Sequence, residues 1–181
     1  MQVIIHYPAN QFAMFDHKLI ADYLRRSYTA VDGLWFMKVE ERLDFAEALA
    51  LDVAVWQIMA KIQCRKAKEL LQLPGSGLAD LLQALHLKFV AEEYGYQVTS
   101  QQPDRLEIEI TLCPWMELLR KSKRQHLAKP VADAICLPDF QYWANEFNPQ
   151  IEATLPQCNC YGAGTCRLVL ELRDDRSSIG Q

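Results

Sequence analysis

The chain has 181 residues, half of them hydrophobic, and a formal charge of −4. That length and apolar share fit one domain of ordinary size and exclude an intrinsically disordered chain. The acidic balance argues against a nucleic-acid partner, and no run reaches the roughly 18 uninterrupted apolar residues of a membrane span.

The opening Met1-Gln-Val-Ile-Ile-His-Tyr-Pro8 has no basic region and no small-residue cleavage site, so a cytoplasmic protein without a signal peptide is expected. Residues 1–15 are apolar and irregular and suggest an edge strand or an arm. Asp16 can cap a helix running to about Arg42. Its residues Leu19, Ile20, Tyr23, Leu24, Ser27, Val31, Leu34 and Trp35 fall at three- and four-residue steps and give it one largely apolar face. Asp44-Phe-Ala-Glu47 has the form of a capping box, and a long helix to about Leu73 follows, stopped by Pro74-Gly75. Leu78 to Tyr94 reads as a third helix closed by Gly95 as a left-handed cap.

The period then changes. Tyr96 to Ser100 is a short strand, and Gln102-Pro-Asp104 is a turn. Leu106, Ile108, Ile110 and Leu112 alternate with Glu107, Glu109 and Thr111, as in a strand with one buried and one wet face. Pro114 at a first helical position starts a short helix. The basic run from Arg120 to Arg124 reads as its solvated end. Another helix covers roughly residues 125–135, and Pro138 opens one more, ending near Asn148-Pro149. Ile151 to Leu155 is a candidate strand, Cys158 to Cys166 a glycine-containing turn, and Cys166 to Leu172 the last strand. Residues 174–181 read as a disordered tail. The whole is a single α+β domain, residues 1–181 with a core of 16–173, in which helices pack on one face of a small antiparallel sheet.

Five of the six cysteines lie after residue 112. Cys113 directly precedes Pro114, where the positive end of a helix would favour its thiolate. Cys136 stands at a helix break two residues before Pro138. Cys158, Cys160 and Cys166 frame a turn that Gly162 and Gly164 allow to fold tightly. If the Leu106–Leu112 strand pairs antiparallel with Cys166–Leu172, Cys113 falls beside Cys166, and the Cys158–Cys160 turn shares that sheet end. Pairing with Ile151–Leu155 alone would put the turn at the opposite end. In a reducing compartment, such a set reads as ligands for zinc or an iron–sulfur cluster, as redox thiols, or as small buried hydrophobes. The run lacks the Cys-x-x-Cys pairs of common zinc folds. Cys64, in the middle of a helix, reads as packing.

Trp35, Trp56, Trp115 and Trp143 are many for one domain; they suit either a ligand pocket or the core. Glu40, Glu41, Asp44 and Asp52 read as caps and solvated faces rather than as general bases. His86 and His126 lack partners at ligand spacing. No glycine-rich phosphate loop, Gly-x-Ser-x-Gly elbow or His-Glu-x-x-His is present.

Several segments together resemble an uncharacterised family of small cytosolic proteins from anaerobic bacteria and archaea. They are Asp32-Gly-Leu-Trp-Phe-Met-Lys-Val-Glu-Glu41, Ala48-Leu-Ala-Leu-Asp52 with Val55-Trp56, Cys113-Pro-Trp115, Ile135-Cys136 with Trp143-Ala-Asn-Glu-Phe147, and Gly164-Thr-Cys166. In outline the chain is similar to L-2-amino-thiazoline-4-carboxylic acid hydrolase-like proteins and, more loosely, to vinyl reductase-type ligand-binding domains. The first likeness implies hydrolytic ring opening of a small sulfur heterocycle. The second implies a homodimeric sensor-type domain that binds a small molecule or metal. The expectation is therefore a small-molecule or metal-binding domain. Its metal site would be Cys113, Cys136, Cys158, Cys160 and Cys166, and its pocket would draw on the four tryptophans. The alternatives are a hydrolase of a small carbon–nitrogen substrate and an interaction domain with structural cysteines.

Overall fold

The computed structural model describes residues 15–173. The N-terminal arm and the disordered tail expected from the sequence fall outside these residues, except for Phe15. Helix α1, His17–Arg42, starts at Asp16, whose carboxylate accepts the amide of Lys18. Helix α2, Phe45–Leu71, starts at Asp44, which accepts the amide of Glu47 at 2.9 Å. It ends with Gln72 in the left-handed region, before the Pro74-Gly75 stop.

Helix α3, Leu78–Ala91, ends earlier than the pattern suggests. Glu93, at φ 60°, takes the left-handed position expected of Gly95. The amide of Tyr94 then reaches back to the Phe89 carbonyl at 2.8 Å. Gly95 serves a different need. It opens strand β1, Gly95–Gln101, opposite Leu112, and a Cβ there would lie 2.9 Å from the Leu112 Cβ.

Strand β2, Arg105–Leu112, is followed by α4, Pro114–Lys121. Helix α5, Ala128–Val131, does not stop before Pro138. A π-turn, Ala132–Cys136, carries the chain directly into α6, Leu137–Phe147. Pro138 has no amide to donate, and its ring would crowd the carbonyl four residues earlier. A widened turn accommodates both faults without breaking the helix. Cys136 therefore sits within a continuous helical run rather than at a break. Strands β3, Ile151–Gln157, and β4, Cys166–Leu172, complete the structure.

The fold is α+β. The sheet order is β1-β2-β4-β3, antiparallel throughout. Leu106, Ile108 and Ile110 face one side of the sheet with Leu168 and Leu170, and all are buried against Leu81, Leu85, Phe89, Phe140 and Trp143 of α3 and α6. Burying each such large side chain contributes about 1.5–3 kcal/mol. Helix α2 lies on α3 and α6 through the small buried residues Ala60, Cys64 and Ala67, which permit close approach. Helix α1 packs on α2 and contributes no fully buried residue. Much of its apolar face, including Leu19, Tyr23, Val31 and Leu34, stays exposed. Among the described residues no helix is long and apolar enough to cross a membrane.

Candidate functional site

Strand pairing decides where the cysteines lie. Strand β2 pairs antiparallel with β4, and Ile110 stands opposite Cys166. The end of β2, with Cys113 just beyond it, therefore lies beside the start of β4. Gly162 and Gly164, at φ 88° and 82°, fold the connection so that Cys158 returns to Cys166. The two sulfurs are 3.9 Å apart, and the amide of Asn159 points at the Cys166 sulfur at 3.2 Å. Tyr161 bonds Asp133 and so ties the turn to the π-turn that carries Cys136. Cys113, Cys158, Cys160 and Cys166 all lie close enough to Cys136 to influence its charge. The five cysteines thus share one end of the sheet. Among the described residues, no group of three or more His, Cys, Asp or Glu side chains converges on a point that could hold a metal ion. All six cysteines are free thiols.

Burial decides their protonation. Cys113 caps α4, and the amides of Met116 and Trp115 together with the Tyr94 hydroxyl favour its thiolate. Desolvation outweighs all three and raises its pKa. The expected activation by the helix end is therefore reversed. Cys136 is raised well above the ordinary thiol range, first by burial and then by its sulfur neighbours. Burial likewise pushes Cys160 and Cys166 to about 12. Cys64, buried between α2 and α6 and 3.9 Å from the Trp143 carbonyl, also rises to about 12. Native Cys113 should therefore label slowly with a thiol reagent at neutral pH, no faster than Cys64, and urea should release both. Labelling of Cys113 more than about tenfold faster than Cys64 in the native protein, mapped by mass, would overturn this balance.

The cysteine end of the sheet opens onto a cavity that the sequence does not announce. An inner chamber of about 100 Å³ is lined by Asp32, Asp52, Trp56, Lys88, Tyr94, Cys113, Trp115, Cys136 and Asp139, among others. An outer lobe of about 270 Å³ lies between α1 and α4 and is lined mostly by apolar side chains, including Phe36, Met37, Leu118, Leu119 and Leu127. Asp32, Asp52, Trp115 and Val131 line both spaces, so the lobes adjoin. Arg124, expected in a solvated basic run, instead bonds Glu40 and lies over Phe36, tying the segment after α4 to α1.

Two tryptophans build the chamber. Trp56 and Trp115 meet edge to face with centroids 5.2 Å apart, and Tyr28 stands against both. Trp143 is buried on the other side of Lys88, with its ring 5.3 Å from the ammonium. Trp35 does not take part: it is 67% exposed on α1. The number of tryptophans in one domain groups it with the others, and its place in α1 lies on the helix's apolar stripe. That stripe is turned to solvent, and the half of α1 facing α2 carries Tyr28 and Asp32 instead.

The polar residues of the chamber form a buried network. Lys88 Nζ lies 3.2 Å from Glu92 Oε1 and 3.4 Å from Asp139 Oδ2. Burial disfavours the ammonium, yet Asp139 and Glu92 outweigh it and its pKa is raised. Glu92 also accepts the indole N–H of Trp115 and the amide of Gln63, each at 3.3 Å. Burial raises the Asp139 pKa against the pull of Lys88. Its Oδ1 has no hydrogen-bond partner among the described residues. Asp32 and Asp52 are partly buried and have no lysine or arginine at ion-pair distance among the described residues. Desolvation lifts Asp32 to about 6 and Asp52 to about 7, and the indole of Trp56 lowers both somewhat.

The model of a family described as a family of unknown function (DUF6125) matches residues 16–163. No curated protein matches the chain.

Proposed function

We propose that this chain, which belongs to the DUF6125 family, is a small-molecule-binding domain whose ligand occupies the two-lobed cavity at the cysteine end of the sheet. One observation carries this reading. A partly buried pair of carboxyls and a tryptophan stand at the junction of a polar chamber and an apolar lobe, and among the described residues neither carboxyl has a cationic partner. Ligand sites are mostly apolar and aromatic, with a few polar groups that fix orientation. Desolvated carboxyls without an ion-pair partner are the groups a protein keeps for function rather than for stability.

The cysteines form one wall of this cavity through Cys113 and Cys136. The spacing of Cys158 and Cys166 suits two ligands of one thiophilic ion, given zinc–sulfur bonds of about 2.3 Å, but among the described residues no third side chain completes such a set. The metal reading therefore ranks below the small-molecule one. A hydrolase acting on a small carbon–nitrogen substrate is the second reading. What favours it is the pair Asp32 and Asp52, held near 6 and 7, where one carboxyl can give a proton and the other take one near neutral pH.

Protein-observed NMR screening of a fragment set should yield binders that shift the indole resonances of Trp56 and Trp115. Leu119→Trp, which fills the outer lobe, should abolish that binding. Equal affinity in the filled variant would place the fragments elsewhere and defeat the proposal.

A further inference from the structure

We infer that the inner chamber receives the protonated nitrogen of an organic ammonium ligand, with Asp32, Asp52 and Asp139 around the charge, Trp56 and Trp115 beside it, and the ligand's apolar tail in the outer lobe. The inference rests on the reading of the cavity as a ligand site and names the class of ligand.

Charge comes first. The groups facing the chamber are Asp32, Asp52, Lys88, Tyr94, Cys113, Cys136 and Asp139. Glu92 stands behind Lys88. Both thiols and the Tyr94 phenol are held protonated by burial. Among the described residues, four carboxyls stand against one ammonium, Lys88, already shared by Glu92 and Asp139. Arg124, at the outer lobe, is tied to Glu40. The chamber therefore lacks positive charge, and an anionic ligand would meet repulsion on most sides.

The unpaired acceptor is independent of that balance. Asp139 lines the chamber and is only 8% exposed, yet its Oδ1 finds no donor among the described residues. A buried carboxylate oxygen left without a donor loses its hydration and gains no hydrogen bond in return. An ammonium N–H supplies the missing donor and the missing charge together.

The aromatic rings select an organic cation over a hard metal ion. Indole faces attract ammonium groups within about 6 Å of the ring centre. Hard divalent ions require six or more oxygen ligands and retain water, which the indole and thiol walls do not provide. The apolar outer lobe has no use for a bare ion but accommodates a hydrocarbon tail.

Three probes of nearly equal shape test this: hexylammonium, hexanol and hexanoate, titrated into the full chain at pH 8 by calorimetry with tryptophan emission as a second signal. Hexylammonium should bind at least tenfold more tightly than hexanol, and hexanoate should bind least. Asp52→Asn and Asp139→Asn should each remove most of the ammonium's advantage over hexanol. Lowering the pH through 7 and then 6 should erode the same advantage as Asp52 and Asp32 take up protons. Equal binding of hexanol and hexylammonium, or an advantage that survives both substitutions, overturns the ammonium assignment while the cavity remains a ligand site. If none of the three probes perturbs the tryptophans, both readings fall.

Discussion

Lys88→Met is expected to lower the unfolding free energy by about 3–5 kcal/mol at pH 7.5, the largest effect of any single substitution in the chamber. The ammonium is almost wholly buried, with its side chain 3% exposed, and two carboxylates lie within 3.4 Å of it. Gln63 Oε1, also at 3.4 Å, and the ring of Trp143 add weaker contacts. Removing the cation leaves Glu92 and Asp139 as two buried like charges. At least one must then take up a proton to remain inside, so the loss should shrink at pH 5. Neutralising the partners as well, in Lys88→Met combined with Glu92→Gln and Asp139→Asn, should recover much of the stability. The deficit arises from the charges left behind more than from the pair itself. Urea unfolding of the variants reads both numbers. A loss under about 1 kcal/mol for Lys88→Met would show that the network is solvated rather than buried.

Much of the scaffold was legible in the sequence because its signals are local. The caps Asp16 and Asp44 and the alternation of β2 act within a few residues, and the structure follows them. The cysteine end of the sheet was legible only conditionally. It depended on β2 pairing with β4 rather than with β3 alone, a choice between distant segments. The order β1-β2-β4-β3 settles it, with β4 inserted between β2 and β3. Two local readings failed where a neighbour changed the geometry. Pro138 suggested a break, but a π-turn absorbs it. Gly95 suggested a cap, but the close approach of Leu112 is what calls for glycine there.

The chamber itself was hidden. Asp52 looks like one more carboxylate on a helix face, and Asp32 stands among the apolar residues of α1. Only the packing of α1 on α2 and of α4 across both shows that these two carboxyls share a cavity. Lys88, Glu92 and Asp139 come from two helices some 50 residues apart in sequence. One signal was present: Lys88 and Glu92 lie four apart, and α3 is otherwise rich in leucine and alanine. A charged pair at that spacing in so apolar a helix points to a buried network rather than to a solvated face. The thiols err in the other direction. Position at a helix start predicts a thiolate, but position says nothing of desolvation, which dominates at Cys113.

Asp52→Asn should stabilise the protein by about 1–2 kcal/mol at pH 8 and leave it unchanged at pH 4, after discounting for the solvent-facing side of the carboxyl. The sign follows from linkage. An unfolded aspartate titrates near 3.8, whereas Asp52 in the folded chain titrates at about 7. Between those values the native state holds a proton that the unfolded state has released, so stability falls as pH rises through the window. The penalty is complete above pH 7 and absent below about 4. An amide of the same shape carries no charge and escapes it. Asp32→Asn should act in the same direction over a narrower window, because Asp32 titrates at about 6. The solvated-face reading of Asp52 predicts no pH-dependent gain, and identical urea midpoints for wild type and Asp52→Asn at both pH values would sustain it. A variant that is more stable at pH 8 yet has lost its preference for hexylammonium would show a carboxyl kept at a cost to the fold for the sake of a cationic ligand.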